Sequence, residues 1–174
     1  MNNTIENGYH PLSPRHRCPF QYKGKRFITI YQFILYCQFM AVGEKENANK
    51  VLNFKNNSDL YSLDAFNKKG QKGKAFDGYY KGKAHEKFES YCSVGMLEAF
   101  KQNQDFRSAI FSIKDIDKIQ YREGVFGAHV CKHFEQSLKN VYLTYVPNVN
   151  LTNINLIKNV KSSNSNNQKR KLNS

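Results

Sequence analysis

One apolar helix constrains the fold of this chain more than any other segment. In the stretch "FITIYQFILYCQFMAV", residues 30–42 are apolar on nearly every side of a helix. A helix without a polar face has to be covered all round, so we expect it at the centre of a core. Thr29 and Gln32 have the spacing of a capping box, in which the hydroxyl accepts from an amide of the first turn. The sequence therefore predicts a central helix beginning near Ile30.

Short strands and further helices are predicted around this central helix. The stretch "CPFQYKGKRFIT" indicates two strands that turn at Gly24, a short β-hairpin near the N-terminus. Apolar side chains recur at three-and-four spacing from His85 to Gln102, which predicts a long amphipathic helix. Other helices are predicted for "EKENANKVLNF", residues 105–111 and residues 132–142, and a short strand for "SIKDIDKIQ". The expected class is a helix-rich α+β fold.

The 174 residues are expected to form a single compact domain with two polar ends. Residues 1–7 are predicted to be a polar N-terminal extension, and residues 8–146 the folded body. Residues 147–174 are rich in Asn, Ser and Lys with little apolar content, and are predicted to be a disordered tail.

The sequence gives no indication of a membrane span or of secretion. No apolar run reaches the 18 residues that a spanning helix needs, and the first residues lack a signal-peptide core. We therefore expect a cytoplasmic or nuclear protein. The four cysteines form no C-x-x-C pair and are expected to be free thiols, some of them buried. No metal or cofactor is implied.

The positive charge is concentrated in two segments. The chain carries a formal net charge of +13, and residues 68–87 hold seven lysines against two acidic residues. From Gln136 onward there are six basic residues and no acidic one. Such segments favour an anionic partner, and lysines interleaved with aromatics supply the phosphate contact and base stacking that nucleic acids require. The candidate nucleic-acid residues are Lys68, Lys69, Lys72, Lys74, Tyr79, Tyr80, Lys81 and Lys83. The plainer alternative is a flexible, solvated basic loop.

Several short motifs resemble the NADAR (YbiA-like) family, in order and spacing. The stretch "LSPRHRCPFQYKGKRFIT" resembles the family's opening, which reads roughly L-S-N-F, then P-F, then G-K-x-F-x-T/S. The stretch "MLEAFKQNQDFRSAI" resembles the end of its long helix, K-F-x-Q-N, and the short helix after it. The matched residues are Leu12, Ser13, Pro19, Phe20, Gly24, Lys25, Phe27, Thr29, Phe100, Gln102, Asn103 and Arg107. Phe126 and Gly127 lie near the place of the family's Trp-Gly pair.

The resemblance spans residues 10–142 and implies a function as well as a fold. The family has a compact helix-rich fold with an acidic cleft for N-glycosidic substrates. Its activities include hydrolysis of phosphorylated riboflavin-pathway intermediates and removal of ADP-ribose from guanine. Cleavage of an N-glycosidic bond develops positive charge on the sugar, which a nearby carboxylate stabilises. The implied partner is an anionic ribosyl or nucleotide-like small molecule.

Carried over residue by residue, the resemblance keeps one carboxylate of the family's site and loses the other. The family's Glu after the helix cap falls on Tyr31, and its Asp before the Trp-Gly pair falls on Glu123. The tryptophan of that pair is Phe126, and the chain contains no Trp. The resemblance therefore implies an N-glycosidic hydrolase with an impaired site, or a binder of ADP-ribosyl or phosphoribosyl compounds.

The candidate site residues follow from these positions. Glu123 is the candidate catalytic base, and the candidate substrate-binding residues are Arg15, Lys25, Tyr31, Phe126 and Gly127. The ordinary alternatives stay open: Tyr31 as a core residue and Glu123 as a solvated loop carboxylate. The competing function is a nucleic-acid-binding module that uses the basic segment 68–87 and the tail. The sequence predicts no oligomeric state.

Overall fold

The computed structural model of the chain describes residues 4–55, 87–123 and 130–146, and it is a helix-rich α+β structure. The strands are β1 (Thr4–Ile5), β2 (Phe20–Tyr22), β3 (Lys25–Phe27) and β4 (Gln120–Tyr121). The helices are α1 (Ile30–Ala41), α2 (Lys45–Leu52), α3 (Phe88–Gln102), α4 (Gln104–Phe111) and α5 (130–146), with a 3₁₀ turn at Ile116–Lys118. Among these residues, no helix combines the length and apolarity that crossing a bilayer requires.

The α1 helix is the buried centre that the sequence predicts. Eight of its twelve residues are buried, and α2 and α3 pack on it. Thr29 is its N-cap, and the Thr29 hydroxyl accepts from the Gln32 amide N–H at 3.0 Å. The Gln32 side-chain oxygen in turn accepts from the N–H of Ile28 at 2.7 Å, one residue before the cap. The predicted reciprocal capping is therefore present, shifted by one residue at its second bond.

The same glutamine joins α1 to α2. The Gln32 side-chain nitrogen donates to the carbonyl of Val51 at 2.7 Å and to that of Phe54 at 3.3 Å. The Val51 carbonyl lies in the last turn of α2, where a helix leaves its last acceptors without intrahelical partners, and the Phe54 carbonyl lies two residues beyond the end of the helix. One buried amide group therefore satisfies the start of one helix and the end of the next, which explains a polar residue that is 1% exposed.

The α3 helix crosses α1 at a glycine. A Cβ atom at Gly95 would lie 2.9 Å from a ring carbon of Phe33 and 3.1 Å from the Cγ2 of Ile30. Both distances are shorter than ordinary carbon–carbon contact, so only glycine allows the two helices this approach. The predicted stripe is confirmed along α3: the buried residues are Phe88, Cys92, Gly95, Met96, Ala99 and Phe100.

The predicted β-hairpin is confirmed and is fixed to the end of α3. Strands β2 and β3 are antiparallel and joined by Lys23 and Gly24, which have φ of +48° and +74°. Positive φ at both central positions is the geometry of a type I′ hairpin turn. The Gln102 side chain accepts from the N–H of Gln21 at 2.9 Å and donates to its carbonyl at 2.8 Å. Strand β2 is thereby bonded to the C-terminus of α3.

The folded body begins earlier than the sequence predicted. Strand β1 lies within the predicted extension of residues 1–7, pairs in parallel with β4, and buries Ile5 completely in the core. The N–H of Arg122 donates to the Ile5 carbonyl at 2.8 Å and continues this ladder. A two-residue strand has no periodicity of its own, so only its distant partner reveals it.

Other predictions hold with shifted bounds or lie outside the described residues. The region "SIKDIDKIQ" forms a 3₁₀ turn and the two-residue β4 instead of one alternating strand, because the Asp115 side chain caps the turn by accepting from the N–H of Asp117. Helix α5 extends the predicted 132–142 at both ends. All four cysteines are free thiols, as predicted. The tail, residues 147–174, lies outside the described residues.

We expect Gly95→Val to loosen the crossing of α1 and α3. The added side chain overlaps the Phe33 ring, and overpacking of this kind costs about 1–3 kcal/mol. The measurement is the free energy of unfolding from urea titration. Ser90→Val, on the exposed face of the same helix, is the control and should change stability by only a few tenths of a kcal/mol, roughly its difference in helix propensity. Equal effects of the two substitutions would contradict the close crossing.

Candidate functional site

Two of the predicted site residues, 108 positions apart, meet in a buried ion pair. The Arg15 Nε donates to the Oε2 of Glu123, and the Glu123 side chain is 0% exposed. Arg15 is also buried, with 11% of its side chain exposed. Glu123 is therefore not a solvated loop carboxylate.

Consecutive turns in residues 7–16 place Arg15. The Ser13 hydroxyl accepts from the N–H of Arg15 at 3.1 Å, and the Ser13 carbonyl accepts from that of His16 at 2.9 Å. The carbonyl of Pro14 accepts from the N–H of Tyr31 at 2.8 Å. That N–H is one of the donors that the first turn of α1 leaves unpaired. The start of α1 therefore holds the loop that carries Arg15.

A glycine packs over the guanidinium of Arg15. A Cβ atom at Gly8 would lie 3.3 Å from the Arg15 Cβ and 3.7 Å from its Cζ. The backbone at Gly8 thus covers the arginine side chain at close range and helps to exclude water from the ion pair.

Strand β4 places Glu123 from the other side. The Tyr121 hydroxyl donates to the Leu12 carbonyl at 2.7 Å, and the Tyr121 N–H donates to the Oε1 of Glu135 at 2.9 Å. Tyr121 is buried, and its backbone is held to β1 on one side and to α5 on the other. The tyrosine therefore links the Arg15 loop directly to the strand that leads into Glu123.

One oxygen of the buried carboxylate has no hydrogen-bond partner in the described part of the chain. Oε2 of Glu123 accepts from Arg15, whereas Oε1 is shielded from solvent and accepts from no described residue. A buried polar atom left in this state costs free energy, commonly about 1–3 kcal/mol. Native structures contain few such atoms, so this oxygen calls for a specific explanation.

The charge of Glu123 also acts on its neighbours. Burial raises the pKa of the Tyr121 hydroxyl well above its ordinary range, and the nearby Glu123 carboxylate raises it further. Burial raises the pKa of the Cys131 thiol; a hydrogen bond from the Glu123 backbone opposes this rise, and the Glu123 charge adds to it. Both side chains are therefore neutral at ordinary pH.

Tyr31 packs in the core, and Lys25 lies exposed on the hairpin. The Tyr31 side chain is 6% exposed and packs in an apolar cluster with residues of α1 and α2, among them Leu35 and Val51. Tyr31 is therefore a core residue, which is one of the two alternatives left open by the sequence. Lys25 is exposed on the hairpin with its Nζ 5.8 Å from the centre of the Tyr36 ring. Among the described residues it makes no hydrogen bond or ion pair with Arg15 or Glu123.

The remaining predicted residues lie outside the described ranges. These are Phe126, Gly127, Lys68, Lys69, Lys72, Lys74, Tyr79, Tyr80, Lys81 and Lys83. The sequence reasoning missed Tyr121 and Gly8. Tyr121 is the residue directly after the stretch predicted as an alternating strand, and continuing that alternation by one residue would have placed it on the same face as Ile119. Gly8 follows no local pattern that would have revealed its contact with Arg15.

No protein-family model matches this chain, and no curated protein or solved structure matches it either. The resemblance to the NADAR family therefore rests on the quoted motifs alone. The descriptions of the fold and of the ion pair come from the structure and do not depend on that resemblance.

We expect the ion pair to show strong energetic coupling. Arg15→Met leaves the Glu123 charge buried without its partner, and removing one member of a buried pair typically costs about 3–5 kcal/mol. The double variant Arg15→Met/Glu123→Leu should lose much less than the sum of the single losses. The measurement is a double-mutant cycle from urea unfolding.

The matched control for this cycle is the exposed pair Lys50–Glu46 on α2, substituted Lys50→Met and Glu46→Leu. Solvent screens that pair, so its members should show little coupling. Additive losses at Arg15 and Glu123 would contradict a buried ion pair.

We expect Tyr121→Phe to flatten the loss of stability at alkaline pH. The folded state raises the Tyr121 pKa above the unfolded value of about 10. The contribution of the neutral tyrosine to stability is therefore complete below the unfolded pKa, and it is lost as pH rises from the unfolded pKa through the folded one. The variant should also lower stability at pH 7 by about 1–3 kcal/mol, because the Leu12 carbonyl loses its buried donor. Free energies of unfolding from pH 7 to 11 test both effects. The exposed Tyr9→Phe is the control, and parallel pH curves for the wild type and Tyr121→Phe would contradict the assignment.

Proposed function

We propose that this chain is a divergent NADAR-like protein that binds an anionic ribosyl compound of the ADP-ribosyl or phosphoribosyl type at Glu123. The observation that carries the proposal is the Oε1 of Glu123, which is buried and accepts no hydrogen bond from the described residues. A ribose hydroxyl or a base N–H donates the bond that this oxygen lacks. Arg15 holds the other carboxylate oxygen and so fixes the direction of Oε1.

The paired carboxylate suits stabilisation of a positive charge. In N-glycosidic cleavage the sugar carbon becomes positive as the base departs, and a carboxylate in a dry site stabilises that charge more strongly than water does. The Arg15 guanidinium already binds the Glu123 carboxylate. In this proposal Glu123 therefore acts by electrostatic stabilisation more than by proton abstraction. Arg15 is then a positioning residue for Glu123 and is not the phosphate ligand.

Hydrolysis is expected to be slow because the second acidic position holds Tyr31. The Tyr31 side chain packs among apolar residues of α1 and α2, where it offers no carboxylate to activate water. Glu123 is also closed to solvent, so a ligand reaches Oε1 only after a local opening. Binding with slow association, followed by slow release of the base, is the behaviour that this site supports.

The test is a comparison of the wild type with Glu123→Gln in the full chain. Probes are ADP-ribose and a phosphorylated ribosyl-pyrimidine, with affinity measured by calorimetry and base release by chromatography. Loss of a hydrogen bond to a charged group costs about 1.5–3 kcal/mol, so binding should weaken roughly 10- to 150-fold. Base release should fall with it.

Two further variants keep this experiment decisive. Glu6→Gln removes an exposed carboxylate that follows β1 and should leave binding unchanged. Glu123→Asp keeps the charge and should lie between the wild type and Glu123→Gln, and circular dichroism checks that each variant is folded. Unchanged binding and turnover in folded Glu123→Gln would refute the proposed site.

A second candidate function is favoured by the distribution of charge. The lysine-rich residues 68–87 and the basic tail together carry most of the net charge of +13. Binding of nucleic acid through these segments would weaken steeply with salt, whereas binding of a ribosyl compound at a buried carboxylate would depend on salt only weakly.

A further inference from the structure

The β-hairpin presents a group of exposed cations on a rigid support. Lys23, Lys25 and Arg26, here called the basic hairpin, are all exposed and lie within four consecutive positions. The sequence from residue 7 to residue 43 contains no Asp or Glu. A positive surface of this kind attracts an anionic partner.

The cations of the basic hairpin have no carboxylate partner among the described residues. Elsewhere in the described chain, several exposed lysines do pair with acidic side chains: Lys50 with Glu46, Lys101 with Glu98, Lys118 with Asp115 and Lys139 with Asp117. Charge on those surfaces is locally compensated. The positive charge of the basic hairpin is not compensated in this way by described residues, so its electrostatic field extends into the solvent.

The hairpin holds these cations in place before any partner arrives. Two hydrogen bonds between the Gln102 side chain and the backbone of Gln21 fix β2, and the N–H of Cys18 donates to the Ile28 carbonyl at 3.0 Å. The Nζ atoms of Lys23 and Lys25 lie 5.4 Å and 5.8 Å from the centres of the rings of Tyr22 and Tyr36. Ordering these side chains beforehand lowers the entropic cost of binding.

We propose that the basic hairpin binds the phosphate backbone of a nucleic acid. Three closely spaced cations suit a polymer that carries one negative charge per nucleotide. The half-buried rings of Tyr22 and Tyr36, beside the ammonium groups, offer contact to bases or sugars. An anionic membrane fits less well, because membrane-surface elements insert apolar side chains. The large apolar side chains exposed in the described residues, Tyr9, Met40, Phe111 and Leu143, all lie outside the hairpin.

The experiment compares two double variants of the full chain. Lys23→Gln/Lys25→Gln removes two hairpin cations, and Lys114→Gln/Lys132→Gln removes two exposed lysines elsewhere that have no acidic partner among the described residues. Both variants lose the same net charge. Fluorescence anisotropy with a labelled 20-nucleotide single strand, and with its duplex, gives the affinity at salt concentrations from 50 to 200 mM. Thermal unfolding checks that both variants are folded.

The hairpin variant should lower the slope of log affinity against log salt by about 1.4, since each phosphate contact on a single strand contributes about 0.7. Its affinity should fall about tenfold or more, and the control variant should change both values much less. Equal changes in the two variants would overturn the proposal. Absence of nucleic-acid binding by the wild type would also overturn it, and so would binding to phosphatidylserine vesicles but not to nucleic acid.

Discussion

The buried first turn of α1 is the constraint on which the rest of the structure depends. A helix begins with unpaired N–H groups, and because α1 is surrounded by protein these donors cannot all turn to water. Thr29 satisfies one, and the Pro14 carbonyl satisfies another by binding the N–H of Tyr31. The second bond fixes the loop beside Arg15. The need to satisfy a buried helix start therefore also places the arginine that faces Glu123.

The parts of the fold that the sequence predicts are those with a local physical cause. Thr29 is an N-cap whose side-chain oxygen accepts from an amide three residues on, a signal contained in four consecutive residues. Gly24 has the positive φ that a two-residue turn requires. Several residues that resemble the NADAR motifs thus have structural roles in this chain; Gln102, for example, binds the backbone of β2. These positions therefore have a structural explanation in this chain that does not require a shared reaction.

The parts that the sequence did not predict depend on distant partners. Nothing in the first seven residues indicates that Ile5 pairs with Tyr121 in a parallel ladder, because a two-residue strand is too short to show alternation. The contact between Arg15 and Glu123 joins residues 108 positions apart. The motifs single out both Arg15 and Glu123 by position, but neither position indicates an ion pair. The cover that Gly8 provides follows from the turns of residues 7–16, which only the folded chain shows.

The buried ion pair is difficult to explain by stability alone. Removing two charges from water costs roughly several kcal/mol per ion. Apolar residues of similar volume can often replace such a pair without loss of stability. Here the pair also leaves Oε1 of Glu123 without a donor among the described residues, which adds to the cost. A structure selected only for stability would favour a filled apolar core at this place. A carboxylate held in a fixed direction by Arg15, with one oxygen still to be satisfied, is instead the arrangement that a ligand with a hydroxyl or amine donor would complete.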